Sequence, residues 1–132
     1  EKLKTEAEAL RAYVAGAGRN IHLLAVHNRK MATPAPAGIP VVIHGHTHQP
    51  GITQEEGTVY INAGTTGAAG FRGLGNDAIP YSVALLRFNL QDGDYHLAVV
   101  DLIRVYGLNG KFILERTVIN KPAAEEGGDS ES

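Results

Sequence analysis

Residues 41–48, Val41-Val42-Ile43-His44-Gly45-His46-Thr47-His48, run from three apolar side chains directly into three histidines at every second position. An unbroken apolar stretch of this length suggests a strand buried on both faces, the kind found in sheets covered on both sides. The expected strand covers 39–43, and its carboxyl end carries the histidines. In extended backbone, positions 44, 46 and 48 point to one side, although the alternation is not guaranteed past the end of a strand. Imidazole suits zinc, iron, manganese and similar borderline ions. A lone histidine is usually an ordinary surface or core residue; three at period two beside a buried strand point instead to metal ligation.

Working upstream, residues 21–26 form a second short apolar run that ends at His27, and we expect another buried strand there. Residues 1–16 place Leu3, Ala7, Leu10 and Val14 at helical spacing, with Gly16 and Gly18 as the stop. Residues 33–38 are a Pro/Ala/Gly loop. Downstream, 49–57 reads as a polar turn region and 58–62 as a third strand. Residues 63–77 are glycine-rich and irregular, and loops of that length are more often functional than accidental. Residues 81–90, 95–106 and 111–120 read as three strands, joined at Asp92-Gly93-Asp94 and Leu108-Asn109-Gly110. The expected domain spans 1–120, followed by a disordered acidic tail at 121–132. The fold class is α/β (α+β): one N-terminal helix, then mostly strands, giving a helix–sheet–sheet sandwich with one helical layer supplied here.

The bulk composition narrows the function classes. The chain has 132 residues, is 43% hydrophobic and 20% charged, and so falls among ordinary globular domains. A net charge of −2 with scattered Lys and Arg gives no basic stripe, so no nucleic-acid partner is expected. There are no cysteines, so any metal must be held by imidazole, carboxylate or amide groups. No apolar run approaches eighteen residues, and no basic-then-apolar leader opens these residues, which gives the expectation of a soluble piece. The chain starts at Glu1 rather than Met, which suggests a piece of something longer.

Several families use His-x-His. Metallo-β-lactamases continue with an Asp-His pair, but here His48-Gln49 is followed by Pro50-Gly51. Cupins place a carboxylate three or four residues on; here Glu55 follows only after six intervening residues. Amidohydrolases need a large barrel, and this chain is too short to build one. A single site built from His44, His46 and His48 or His27 is also disfavoured, because neighbouring His-x-His-x-His side chains cannot easily surround one ion. The pattern that fits is Gly45-His46-Thr47-His48 after a buried strand, with His27 ending the strand before it and Asn62-Ala63-Gly64-Thr65-Thr66-Gly67 after the next. In that order the three features resemble the calcineurin-like metallophosphoesterases, well over residues 1–90 and loosely beyond.

That resemblance implies half of a helix–sheet–sheet–helix sandwich, and phosphate ester hydrolysis, of a monoester or a diester, by a hydroxide activated between two divalent ions (Mn, Fe or Zn) about 3.5 Å apart. By position, His27 and His46 would ligate one ion and His48 the other. His44 and Asn62 would support the ligands rather than bind metal. Arg72, in the glycine-rich loop, is a candidate to hold the substrate phosphate. The stretch around 68–73 also resembles phosphoesterases that carry N-terminal membrane segments, which leaves the location of the parent open. The family's D-x-H, G-D-x-x-D and G-N-H-D/E motifs, which supply the bridging Asp and the catalytic His, do not occur before His27. Gly75-Asn76-Asp77 and Gly93-Asp94-Tyr95-His96 are out of order and do not replace them. The expectation is therefore a C-terminal fragment with no catalytic residue of its own and weak or no metal binding when isolated. Its natural partner would be the N-terminal half of the same domain. A homo-dimer could cover its exposed sheet instead, and a non-catalytic metal-binding or interaction module retaining the fold is the alternative.

Overall fold

The structure is a computed structural model, and it describes residues 1–66, 80–106 and 111–119. Helix α1 (Lys2–Gly16) turns the stripe that holds Ala7, Leu10 and Val14 toward the sheet; Ala7 is buried, whereas Leu3 stays exposed at the first turn. Arg11 reaches from the helix to donate to the carbonyls of Thr33 and Pro34, at 3.5 and 3.2 Å. That contact ties α1 to the loop before the central strand.

The first sheet holds β1 (Leu24–Val26), β2 (Val41–His44), β3 (Gly51–Glu55) and β4 (Thr58–Asn62) in the order β1-β2-β4-β3. The first three in that order are parallel, and β3 pairs antiparallel with β4. The second sheet is an antiparallel meander of β5 (Tyr81–Gln91), β6 (Asp94–Tyr106) and β7 (Lys111–Val118). Its first turn places Asp92 and Gly93 at positive φ, 54° and 84°, the backbone of a two-residue hairpin turn.

Successive residues of β2 and β4 serve different cores. Val41, Val59 and Ile61 pack against Leu97 and Val100 of the second sheet. Val42 and Tyr60 pack the other way, on Ala32 and Ile39, with Val14 of α1 beside them. Both faces of the central strands are covered, which is why their sequence is apolar without alternation. The helix–sheet–sheet layering expected from sequence is present, and the helical layer also contains a short 3₁₀ turn at Arg29–Ala32.

Several boundaries differ from expectation. The first strand is only Leu24–Val26, not 21–26. The second begins at Val41 rather than 39, since Pro40 has no N–H to give a neighbour, and it extends to His44. Residues 49–57 are not merely a turn: they contain β3, closed onto β4 through Glu56 and Gly57 at φ 48° and 81°. As an edge strand with one pairing partner and little burial, β3 carries no apolar signature. Most of the glycine-rich loop, the 108–110 turn and the 121–132 tail lie outside the described residues.

The chain passes between the sheets at Gly64-Thr65. Ser82 donates its N–H to the Thr65 carbonyl at 2.8 Å, and Thr65 donates back to Ser82 Oγ at 3.1 Å. Gly64 sits at φ +80°, and a Cβ there would run into Ser82 Oγ. Only glycine fits this crossing. Among the described residues, no helix is long and apolar enough to cross a membrane.

Candidate metal centre

The parallel pairing sets the site. Val26 is in register with His44, and His44 with Asn62. The carboxyl ends of β1, β2 and β4 therefore lie side by side, where ligands of open α/β sheets usually bind. Gly45 N–H donates to the His27 carbonyl at 3.1 Å and extends the ladder one step past both strand ends. The loops carrying His27 and His46 leave the sheet together.

The two imidazoles meet there. His27 Nε2 and His46 Nδ1 stand 3.2 Å apart, with ring centroids 5.1 Å apart and planes near perpendicular. At this distance one ring N–H donates to the other ring's lone pair, or both lone pairs serve one ion. Two imidazole nitrogens on a tetrahedral ion at ~2.0–2.1 Å stand about 3.3–3.4 Å from each other. The pair therefore fits two adjacent positions around a single divalent cation. Among the described residues no third His, Cys, Asp or Glu joins it. The two-ion centre expected from the resemblance does not fit these residues alone, since it needs a bridging carboxylate and further ligands.

The period-two alternation of the histidines ends with the strand. His46 and His48 both adopt left-handed backbone, φ 73° and 57°, a conformation that side-chain-bearing residues rarely take and that costs of order 1–3 kcal/mol. Around the His46–His48 turn, Thr47 N–H donates to the Gly45 carbonyl at 3.0 Å, and Thr47 Oγ accepts from Asn62 Nδ2 at 2.7 Å. Asn62 Oδ1 accepts in turn from Gly64 N–H at 2.9 Å. The buried amide of Asn62 thus links the histidine turn to the sheet crossing. His48 is half-buried and stands apart from the His27–His46 pair.

His44 points into a cleft of about 360 Å³ lined also by Arg29, His46, Thr47, Tyr60 and Asn62. Burial pushes its imidazole below the usual pKa, and the nearby Arg29 charge adds to this against the polar backbone of Gly45. Its Nδ1 is buried and finds no partner among the described residues, as does Arg29 Nε. Arg29 is the residue that sequence reasoning passed over. Its guanidinium lies 4.4 Å from the Tyr60 ring centre and reaches Glu55 at 2.6 Å. The only sequence clue was its place two residues after His27. A larger cavity of about 740 Å³, under the 33–38 loop, is lined by Glu55 and Glu56 but by no histidine. Arg72 lies outside the described residues.

A profile of the calcineurin-like phosphoesterase superfamily domain matches residues 3–89. The chain belongs to that superfamily. The match covers α1, the first sheet, the histidine turn and most of β5, and leaves out β6 and β7. Among solved structures, the superfamily member is similar to a single-mutant Vps29 from Entamoeba histolytica, with 19% identity, a TM-score of 0.48, and coverage of 70% of this chain and 48% of that one. It is also similar to wild-type Vps29 from Entamoeba histolytica complexed with zinc, with 20% identity, a TM-score of 0.41, and coverage of 62% and 41%. Vacuolar Protein Sorting 29 from Cryptosporidium parvum gives 24% identity, a TM-score of 0.40, and coverage of 61% and 37%. The chain spans about half the length of the first of these, and less of the others. The comparison with curated proteins returned no match.

Proposed function

We propose that these residues carry the histidine side of a phosphoesterase metal centre and have no hydrolytic activity by themselves. The observation behind this reading is the 3.2 Å approach of His27 Nε2 to His46 Nδ1 at the carboxyl ends of two parallel strands. His27 and His46 hold one divalent ion; His48 supplies a ligand to a second. Asn62 steadies the turn between them through Thr47. In a complete site the two ions, Mn, Fe or Zn, supply Lewis-acid polarisation of the phosphoryl oxygen and an activated water. The residues here contribute ligand nitrogens and their orientation. The carboxylates and the proton donor come from the other half of the domain, and Arg72 is a candidate for the substrate phosphate.

One observation favours a second reading, a non-catalytic metal-binding or interaction module that keeps the fold: no third metal-ligating side chain joins the histidine pair among the described residues. Both readings predict the same first experiment. The purified chain is mixed with manganese or zinc and a generic aryl phosphodiester. Hydrolysis is expected to match that of His46→Ala. Turnover well above that control would show a self-contained site and overturn both. Adding the upstream half of the domain separates them, since only the first reading predicts activity that depends on His46.

A further inference from the structure

The cavity of about 740 Å³ under the 33–38 loop contains none of the candidate metal ligands. Thr53 is in register with Tyr60 and Glu55 with Thr58. Glu55, two residues past Thr53, therefore shares the face of Tyr60. The cavity lining joins the Tyr60 ring and the apolar Pro34, Ala35 and Pro36 to the carboxylates of Glu55 and Glu56. Side chains hold the loop in place. Ala35 N–H donates to Tyr60 Oη at 2.9 Å, and Arg11 donates to the carbonyls of Thr33 and Pro34. The cavity is thus formed before a ligand arrives, and binding need not order it.

Charge and size select the ligand. Among the lining residues only Glu55 and Glu56 carry a charge. Glu55 already pairs with Arg29 at 2.6 Å, and that guanidinium lies 4.4 Å from the Tyr60 ring centre. The protein's own cation thus occupies a site made of a carboxylate and an aromatic ring. The fit is incomplete, since Arg29 Nε is buried with no partner among the described residues. Glu56 pairs with no cation among the described residues. A hard metal ion does not suit this lining, because calcium and magnesium take about six or more oxygen ligands and proline and alanine side chains offer none. Those apolar walls suit an aliphatic body instead, and the volume falls in the ~300–1,000 Å³ range of small-molecule sites. We propose that this cavity binds a small organic cation, an alkylguanidinium or alkylammonium. Its charged head sits with Glu55 and Glu56, its aliphatic stem lies on Pro34 and Pro36, and it competes with Arg29 for Glu55.

The test uses the full 132-residue chain, with n-butylguanidinium as probe and n-butylurea, its uncharged isostere, as control. Calorimetry and the Tyr60 ring resonances follow binding. Butylguanidinium is expected to bind saturably, and butylurea at least about tenfold more weakly, as loss of a charge-assisted hydrogen bond implies. Glu56→Gln should weaken butylguanidinium binding by about tenfold on the same ground. Its melting temperature should stay unchanged, because Glu56 is exposed. Arg29→Met removes the competitor and should tighten binding about threefold, the worth of one displaced surface ion pair. Lys30→Met removes the same charge next door and leaves the Arg29–Glu55 pair intact, so it should change little. No saturable binding by the unmodified chain overturns the proposal, as does equal binding of butylurea. Indifference to Glu56→Gln, or equal gains from Arg29→Met and Lys30→Met, would reduce the effect to general attraction of cations and overturn it too. An arginine tripeptide capped at both ends supplies the remaining arm. If it binds at least about tenfold tighter than butylguanidinium, the cavity takes a side chain of a partner protein, and the small-molecule ligand would be wrong.

Discussion

The two sheets of this molecule solve burial in opposite ways. The first is parallel at its centre and covered on both sides, by α1 and the 3₁₀ turn on one face and the second sheet on the other. The second is an antiparallel meander, and its inner face alone is covered by described residues. The candidate chemistry sits on the sheet whose central strands are covered on both faces. Parallel strands end together, so their following loops converge, and convergence is what brings His27 to His46. Rigidity in the layer below lets left-handed residues such as His46 persist above it. The meander has a hairpin turn at Asp92-Gly93 and an open face, features suited to contact rather than catalysis.

If the first sheet is the rigid platform, damage to it should cost the most. Ile61 of β4 is fully buried between the sheets. Ile61→Ala should lower unfolding free energy by about 3 kcal/mol, the middle of the range for large-to-small core changes. Urea denaturation measures this. Leu85→Ala on the open face should cost under about 0.5 kcal/mol, as surface changes do. Equal losses at the two positions would mean that the contrast between the sheets is false.

Gly64→Ala attacks the joint between them. The new Cβ meets Ser82 Oγ with the backbone already at positive φ. A cost of about 2 kcal/mol is expected from strain and overpacking together. Gly93→Ala, also at positive φ but with nothing within 4 Å, should cost less. Because Gly64 N–H donates to Asn62, the first change should also shift the amide resonances of Thr47.

The first sheet was legible because both of its faces are covered: Val41-Val42-Ile43 and Val59-Tyr60-Ile61 announce themselves as continuous apolar runs. Helix α1 and the three meander strands were legible from their own periodicity and from the Asp92-Gly93 turn. Strand β3 was not, since Gly51-Ile52-Thr53-Gln54-Glu55 is held by backbone pairing to β4 and buries little. The histidine cluster stood out as residue types at a spacing, but its geometry did not. The alternation expected of His44, His46 and His48 stops at the end of β2, and the turn braced by Asn62 and Thr47 decides where each ring goes. The Arg29–Glu55–Tyr60 contact joins residues 26 and 31 positions apart and leaves no local trace in sequence.

A gentler probe of the open sheet is pH. The hydrogen bond from Arg116 holds the Asp101 carboxyl below its ordinary value of 3.8, and the charges of Arg116 and Arg87 add to this against burial. The folded state therefore takes up this proton less readily than the unfolded chain. Its stabilising contribution is complete above pH 3.8 and is lost as pH falls through the lower folded value. Asp101→Asn should flatten the acid limb of a plot of melting temperature against pH and leave its slope above pH 5 unchanged. An identical acid limb in the variant would show that the ion cluster does not hold the meander.

The smallest stability effect should fall on the candidate ligands, and that smallness is informative. His27 and His46 are exposed and packed against each other rather than into a core. His27→Ala should change unfolding free energy by less than about 0.5 kcal/mol, the usual range for surface positions. Cobalt affinity, followed by visible absorption, should fall at least tenfold, because one nitrogen cannot replace two at 3.2 Å. His48→Ala should weaken cobalt binding less than either His27→Ala or His46→Ala, since His48 stands apart from the pair. If instead His48→Ala matches them, all three rings share one ion, and the arrangement of His46 and His48 on separate ions fails. If His27→Ala destabilises the fold without changing cobalt affinity, the pair is a structural contact, and the buried sheet beneath it is a platform for something other than metal.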